Sequence, residues 1–160
     1  MGKTLILYYS QHGTTKLMAE ILKEKLHADS CRIDVERKYD NNMWKATRQA
    51  IVEIILRRYP KISNHLPNLS QYDTILIGGP TWGWSVSNPI RSYMRQTNLK
   101  GKKVASFWTY MDGAKNYDGK MRKLAKGASY ISGIGATRQE LNQAEFSKKL
   151  DAYIQTIQNK

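Results

Sequence analysis

Two rhythms of hydrophobic positions alternate along this chain. Short runs such as "TLILYY" (Thr4 to Tyr9) and "DTILIGG" (Asp73 to Gly79) are apolar throughout, as strands buried on both faces should be. Longer segments repeat every three to four residues instead. Thr14 to Leu26 sets Leu17, Met18, Ile21, Leu22 and Leu26 along one helical face. "CRIDVE" (Cys31 to Glu36) is a β-branched alternation and predicts the second strand. Lys45 to Tyr59 predicts a helix with Ile51, Ile54, Ile55 and Tyr59 as its apolar stripe, and Pro60 and Pro67 mark the loop after it.

The second half repeats the scheme. Gly78 and Gly79 are expected to stop the third strand, and Pro89 fits the first turn of a helix reaching about Thr97. "KKVASFW" predicts the next strand and Lys115 to Lys126 the next helix. "ASYISGIG" is the last strand, with a helix from about Gln139 to Gln158 behind it. Strands alternating with helices predict an α/β fold, because parallel neighbours need crossovers. The expectation is one domain over residues 1–160, a doubly wound, five-stranded parallel sheet in three layers.

Composition narrows the class. No apolar run approaches the ~20 residues of a membrane span, and the chain enters a strand at once, which predicts no signal peptide and a cytoplasmic protein. "MGKTLI" has the Gly2 of a myristoylation signal but Ile6 where Ser or Thr is wanted. One cysteine, Cys31, excludes an internal disulfide and a cysteine-rich metal site. The net charge of +13 is unusual. It fits an acidic partner, a phosphorylated substrate or a lineage-wide basic surface. The lysines and arginines are dispersed, without a helix-turn-helix pattern or zinc-finger spacing, so nucleic acid is not expected as a partner.

In such a sheet, ligands bind beyond the carboxyl ends of the strands. Three loops of unusual composition should reach that edge. In the first, Ser10, Gln11, His12, Gly13, Thr14 and Thr15 precede a helix N-terminus, whose free N–H groups and partial positive charge suit a phosphate. No lysine or arginine lies within it, so the seat reads as a neutral, hydroxyl-lined nest. Neither the P-loop nor the dinucleotide glycine fingerprint is present. The second loop, "GGPTWGWSVSNP", sets Pro80, Thr81, Trp82, Gly83 and Trp84 at the edge, where indoles suit a flat aromatic ligand. The third, Thr109, Tyr110, Met111, Asp112 and Gly113, adds another aromatic. The bland alternatives are a helix cap for Thr14 and loop packing for the tryptophans.

A phosphate and a flat ring at adjacent loops describe a mononucleotide, and FMN is the economical candidate. "LYYSQHGTTKLMAEIL", "YDTILIGGPTWGWSVSNPIRSYM" and "LKGKKVASFWTYMDG" together resemble the flavodoxin family of short-chain type, in its order and spacing. The resemblance implies strand order 2-1-3-4-5 and bound FMN. It implies that Ser10 to Thr15 cradle the phosphate, Pro80 to Trp84 line the isoalloxazine and Thr109 to Gly113 close the other side. It also implies an electron carrier cycling its flavin between oxidised, semiquinone and reduced states, with no catalytic residue and no metal, as a monomer or weak dimer. Gly83 is where a peptide could turn its carbonyl toward reduced N5, since glycine tolerates both conformations. Quinone reductases of the Trp-repressor-binding-protein type look similar around the first loop, which makes NAD(P)H and a quinone the alternative partners. Typical flavodoxins are acidic; this chain is basic, so an acidic redox partner protein is expected in place of the usual basic ones, and neither nucleic acid nor membrane.

Overall fold

The computed structural model describes residues 2–159, apart from the side chain of Met43. Its parallel sheet is built from β1 (Thr4–Tyr8), β2 (Asp29–Arg32), β3 (Thr74–Trp82), β5 (Lys103–Thr109) and β6 (Ser129–Ala136). The order β2-β1-β3-β5-β6 is the expected one, with a short β4 (Ser85–Val86) added antiparallel to the end of β3. Helices α1 (Thr14–Leu26), α2 (Met43–Ile55), α3 (Asn88–Gln96), α4 (Tyr117–Leu124) and α5 (Ala144–Asn159) complete the chain.

Alternation along β1 makes the three layers. Ile6 and Tyr8 join Met18 and Leu22 of α1 and Phe146, Leu150 and Ile154 of α5 on one face. Leu5 and Leu7 join Ile90 and Met94 of α3 and Met121 of α4 on the other. A strand buried on both faces has no polar side to show, which is why "TLILYY" carries no alternation.

Several elements depart from expectation, each for a local reason. The glycines do not stop β3: Gly78 and Gly79 stay in the ladder opposite Phe107 and Trp108. A Cβ on Gly78 would enter the Phe107 ring, so their smallness serves packing. β2 pairs earlier than "CRIDVE", from Asp29 opposite Leu5 to Arg32 opposite Tyr8. Asn64 then takes over, accepting from the Asp34 N–H at 2.8 Å and donating to the Arg32 carbonyl at 2.7 Å, and Val35 bridges to Ile62. α4 is shorter than expected, entered through Asn116 at φ 50°. α5 starts only at Ala144, because a single 3₁₀ turn (Glu140–Asn142) and an extended Gln143 intervene.

The largest departure is α2. It ends at Ile55, the chain turning at Arg57 with φ 52°, and its expected stripe is not its buried face. Ile51, Ile54 and Ile55 are exposed, while Ala46, Ala50 and Glu53 face inward. Glu53 is 2% exposed and fully engaged. Its carboxylate accepts from the Tyr39 hydroxyl at 2.6 Å, Asn88 Nδ2 at 2.7 Å and Arg37 at 2.8 Å. Asn88 also donates to the Ala50 carbonyl at 3.0 Å, so α2 is pinned to the start of α3 by polar contacts. Rolling the helix to bury its isoleucines would leave these groups unpaired. Glu53→Ala should therefore destabilise the protein by about 2–4 kcal/mol in urea unfolding, as loss of a buried carboxylate with several donors does. A cost below about 0.5 kcal/mol would contradict this account of α2.

Candidate functional site

At the first loop, Ser10 is buried and its Oγ accepts from the Gly13 N–H at 3.1 Å and the Lys16 N–H at 3.2 Å. That closes the turn and leaves the hydroxyl proton of Ser10 free to donate. Gly13 sits at φ 86° at the helix entrance, and the first turn of α1 holds no acidic residue. The N–H groups of Thr14 and Thr15 have no place in the helical ladder. Gln11 donates to the Asp40 carbonyl at 3.0 Å, tying the loop to the segment before α2, and His12 is exposed.

The second segment is not a loose loop. Thr81 pairs with Val86 and Trp82 with Ser85, leaving Gly83 and Trp84 as a two-residue turn. Their φ values of 54° and 57° make it a type I′ hairpin. Such turns favour Asn-Gly or Gly-Gly; a tryptophan in this conformation is strained by about 1 kcal/mol. Trp84 is nonetheless 47% exposed. Lys115 lies 4.9 Å from its ring centroid, and Lys120 donates to its carbonyl at 3.1 Å. Trp82 is half-buried, edge-on to Tyr39 with centroids 4.5 Å apart and to Tyr9 at 5.7 Å. Its ring is therefore part of an aromatic packing cluster, whereas Trp84 offers free indole surface. Pro80 is within β3, opposite Thr109.

Thr109 closes the third side. Its Oγ1 lies 2.7 Å from Thr15 Oγ1 in a buried hydrogen bond between residues 94 apart in sequence. Thr81 donates to the Gly113 carbonyl at 3.4 Å, and a Cβ on Gly113 would lie 3.6 Å from Trp84. Tyr110 reaches Glu140 at 3.4 Å, while Met111 and Asp112 are exposed. All three loops thus meet at one sheet edge. The tyrosines around it stay protonated at neutral pH. Burial pushes the Tyr9 phenol up to about 12; burial, then the Glu53 hydrogen bond, raises Tyr39 well above its usual range.

Two groups that sequence reading missed adjoin the seat. Arg138 donates to Thr14 Oγ1 at 3.4 Å, and Arg32 to the Ser10 carbonyl at 3.0 Å. The loop is neutral within itself, but the fold sets guanidinium groups at its rim. Arg138 was findable in principle, because it follows β6 by two residues and so lies at the ligand edge of the sheet. Its position is set by a capping box: Thr137 donates its N–H to Glu140 at 2.7 Å and accepts from the Glu140 N–H at 3.2 Å. The Thr137 N–H, then its side chain, holds the Glu140 carboxyl below its usual range. Among the described residues no group of His, Cys, Asp and Glu could hold a metal ion.

A doubly wound parallel sheet with a hydroxyl-lined helix N-terminus beside an aromatic hairpin defines the class of nucleotide-binding α/β proteins. Residues 3–157 match the family model described as Flavodoxin, and the chain belongs to that family. It is similar to a flavoprotein of Lactobacillus acidophilus solved in complex with FMN, at 31% identity, covering 92% of this chain and 99% of that one, with TM-score 0.76. A flavoprotein of Bacteroides eggerthii shares 26% identity over 98% of both chains, with TM-score 0.83. Among curated proteins, an NAD(P)H dehydrogenase (quinone) of Paraburkholderia phymatum is 27% identical over 114 residues, 67% of this chain and 56% of that protein. The chain thus spans about half the length of the curated relatives it matches.

Trp84→Asn should leave stability unchanged or raise it by up to about 1 kcal/mol, since asparagine tolerates the left-handed region. A loss above about 1 kcal/mol in urea unfolding would show that the indole serves the fold. Glu140→Gln should lower the melting temperature at neutral pH, by progressively less as the pH is brought down from the ordinary carboxylate range, because a depressed carboxyl adds stability above its unfolded pKa and loses it as pH falls through the folded one. An effect that does not diminish on acidification would contradict the capping role.

Proposed function

We propose that the chain binds FMN and passes electrons through it as a flavodoxin-type carrier. One observation carries the reading: in a flavodoxin-family chain, the Ser10–Thr15 turn, the Gly83–Trp84 hairpin and the Thr109–Gly113 loop meet at one edge of the sheet. The donor set fits the group. The hydroxyl of Ser10, the Thr14 and Thr15 N–H groups and the Thr14 hydroxyl suit a phosphate dianion, with Arg138 at hand. The exposed Trp84, with the half-buried Trp82 beside it, suits a planar ring. Pro80, Thr81, Gly83 and the third loop complete the wall. When bound, FMN supplies the electron chemistry, and the protein positions it and limits its contact with water.

No buried acid–base pair stands among these residues, and a carrier needs none. The second reading is an NAD(P)H:quinone-type reductase, supported by the names of the curated relatives. Lys115 and Lys120 beside an exposed indole suit a phosphorylated nicotinamide. The carrier is preferred, because the flavodoxin family model matches residues 3–157, whereas the alignment to the curated relative covers 67% of this chain.

Purified protein incubated with FMN and desalted should keep flavin absorbance, and it should oxidise NADPH only slowly with menadione. A colourless protein overturns the flavin reading; rapid NADPH consumption favours the reductase. Gly83→Val should weaken binding of reduced FMN more than of oxidised FMN. The open space at Gly83 admits a Cβ, but its φ of 54° does not suit a β-branched residue. Equal loss in both states would refute a turning peptide at this position.

A further inference from the structure

Eight large apolar side chains stand exposed among the described residues, and six of them belong to one helix and its end: Trp44, Ile51, Val52, Ile54, Ile55 and Leu56. Trp44 is 81% exposed and Ile55 72%. At 100° per residue, Trp44, Ile51 and Ile55 fall on one line along α2, with Val52 and Ile54 on either side. Together they expose on the order of 600 Å², the upper end for an ordinary monomer surface. Neither apolar core includes α2, so this stripe is not the rim of a core.

Its surroundings are cationic. A cleft of about 390 Å³ alongside is lined by Arg37, Lys45, Arg48, Gln49, Val52 and Glu53. Arg57 and Arg58 follow the C-terminal end. The local acids are largely answered: Glu53 is held by Arg37, and Asp40 lies 3.9 Å from Lys45. Those pairs occupy Arg37 and Lys45, and among the described residues Arg48, Arg57 and Arg58 have no ion-pair partner, so the apolar line is bordered by three uncompensated positive charges.

We propose that α2 docks on an anionic phospholipid bilayer. The stripe enters the boundary between headgroups and acyl chains, and Arg48, Arg57 and Arg58 meet headgroup phosphates. A second copy of the chain is a poor occupant, since the same cationic border would face itself on molecules of net charge +13. A folded acidic partner needs a discrete matching patch, whereas these cations are spread from the middle of a convex helix to the segment beyond its end. A diffuse planar sheet of charge complements that distribution. No helix of the described residues is long and apolar enough to cross a membrane, but a helix lying in the interface plane needs no such length. The surface also adjoins the candidate site, through the Gln11–Asp40 hydrogen bond and the Tyr39–Trp82 contact. Docking by α2 brings that sheet edge beside the lipid, within reach of apolar electron acceptors dissolved there.

The test is sedimentation with large unilamellar vesicles of phosphatidylcholine, alone or with roughly one phosphatidylglycerol in four lipids. It is read at physiological ionic strength, so that diffuse attraction is screened, and it needs no flavin. The wild-type chain should co-sediment with the anionic vesicles only, and acyl-brominated lipid should quench its tryptophan fluorescence. The Trp44→Ser/Ile55→Ser variant, altered at exposed positions, should bind at least about tenfold more weakly and lose that quenching, with an unchanged far-ultraviolet spectrum. Arg57→Gln/Arg58→Gln should weaken binding with the quenching pattern retained. Equal binding by the serine variant would overturn the proposal and leave only electrostatic adhesion. No wild-type binding would also overturn it, as would a stable dimer dispersed by the serine substitutions, which would make α2 a contact between copies of the chain.

Discussion

The buried carboxylate of Glu53 decides how one side of this molecule is built. Its three donors come from Arg37 and Tyr39 before α2 and from Asn88 at the start of α3. A carboxylate deprived of water is tolerated only when its oxygens are satisfied. The helix that carries it must therefore face inward with Glu53, Ala46 and Ala50. The apolar residues of α2 are turned outward as a consequence. The same carboxylate fixes Tyr39, whose ring packs against Trp82, so it also supports the hairpin at the candidate site. Fold, site and surface share one anchor.

The parallel sheet supplies the second constraint. Every crossover returns the chain to the same end, so residues far apart in sequence arrive at one edge. The Thr15–Thr109 hydrogen bond, across 94 positions, is the tightest link between those loops. Strain is concentrated nearby, in the left-handed Trp84. A bulky residue held in that region while half its surface is exposed is better explained by a ligand than by the fold. The Lys115 and Lys120 contacts hold the turn and add positive charge beside it.

Much of this was legible in the sequence. The alternation of strands and helices, the full extent of α1 and the meeting of the three loops follow from apolar runs, helix periodicity and glycine and hydroxyl clusters, while the sheet order came from the resemblance to the flavodoxin family. The orientation of α2 was not legible, because Ile51, Ile54 and Ile55 have the spacing of a core stripe. What turns them outward is a set of donors on other segments that only the folded chain assembles. The hairpin was hidden because Gly-Trp is not a usual turn pair, and Trp82 proved a packing partner of Tyr9 and Tyr39 as much as a free surface. Arg138 escaped notice because its contact with Thr14 spans 124 positions. The late start of α5 came from a capping box spent on a 3₁₀ turn rather than on the helix itself.

The central claim is that the first loop is a phosphate seat and the hairpin a platform for a ring. Calorimetric titration of the flavin-free chain with FMN and then with riboflavin separates those two parts. Both ligands carry the same ring, and only FMN carries the phosphate. FMN should bind at least about tenfold more tightly, the yield of a few charge-assisted hydrogen bonds at a helix N-terminus. Equal affinities would mean that Ser10 to Thr15 holds no phosphate, and the account of this site would fail at its first loop.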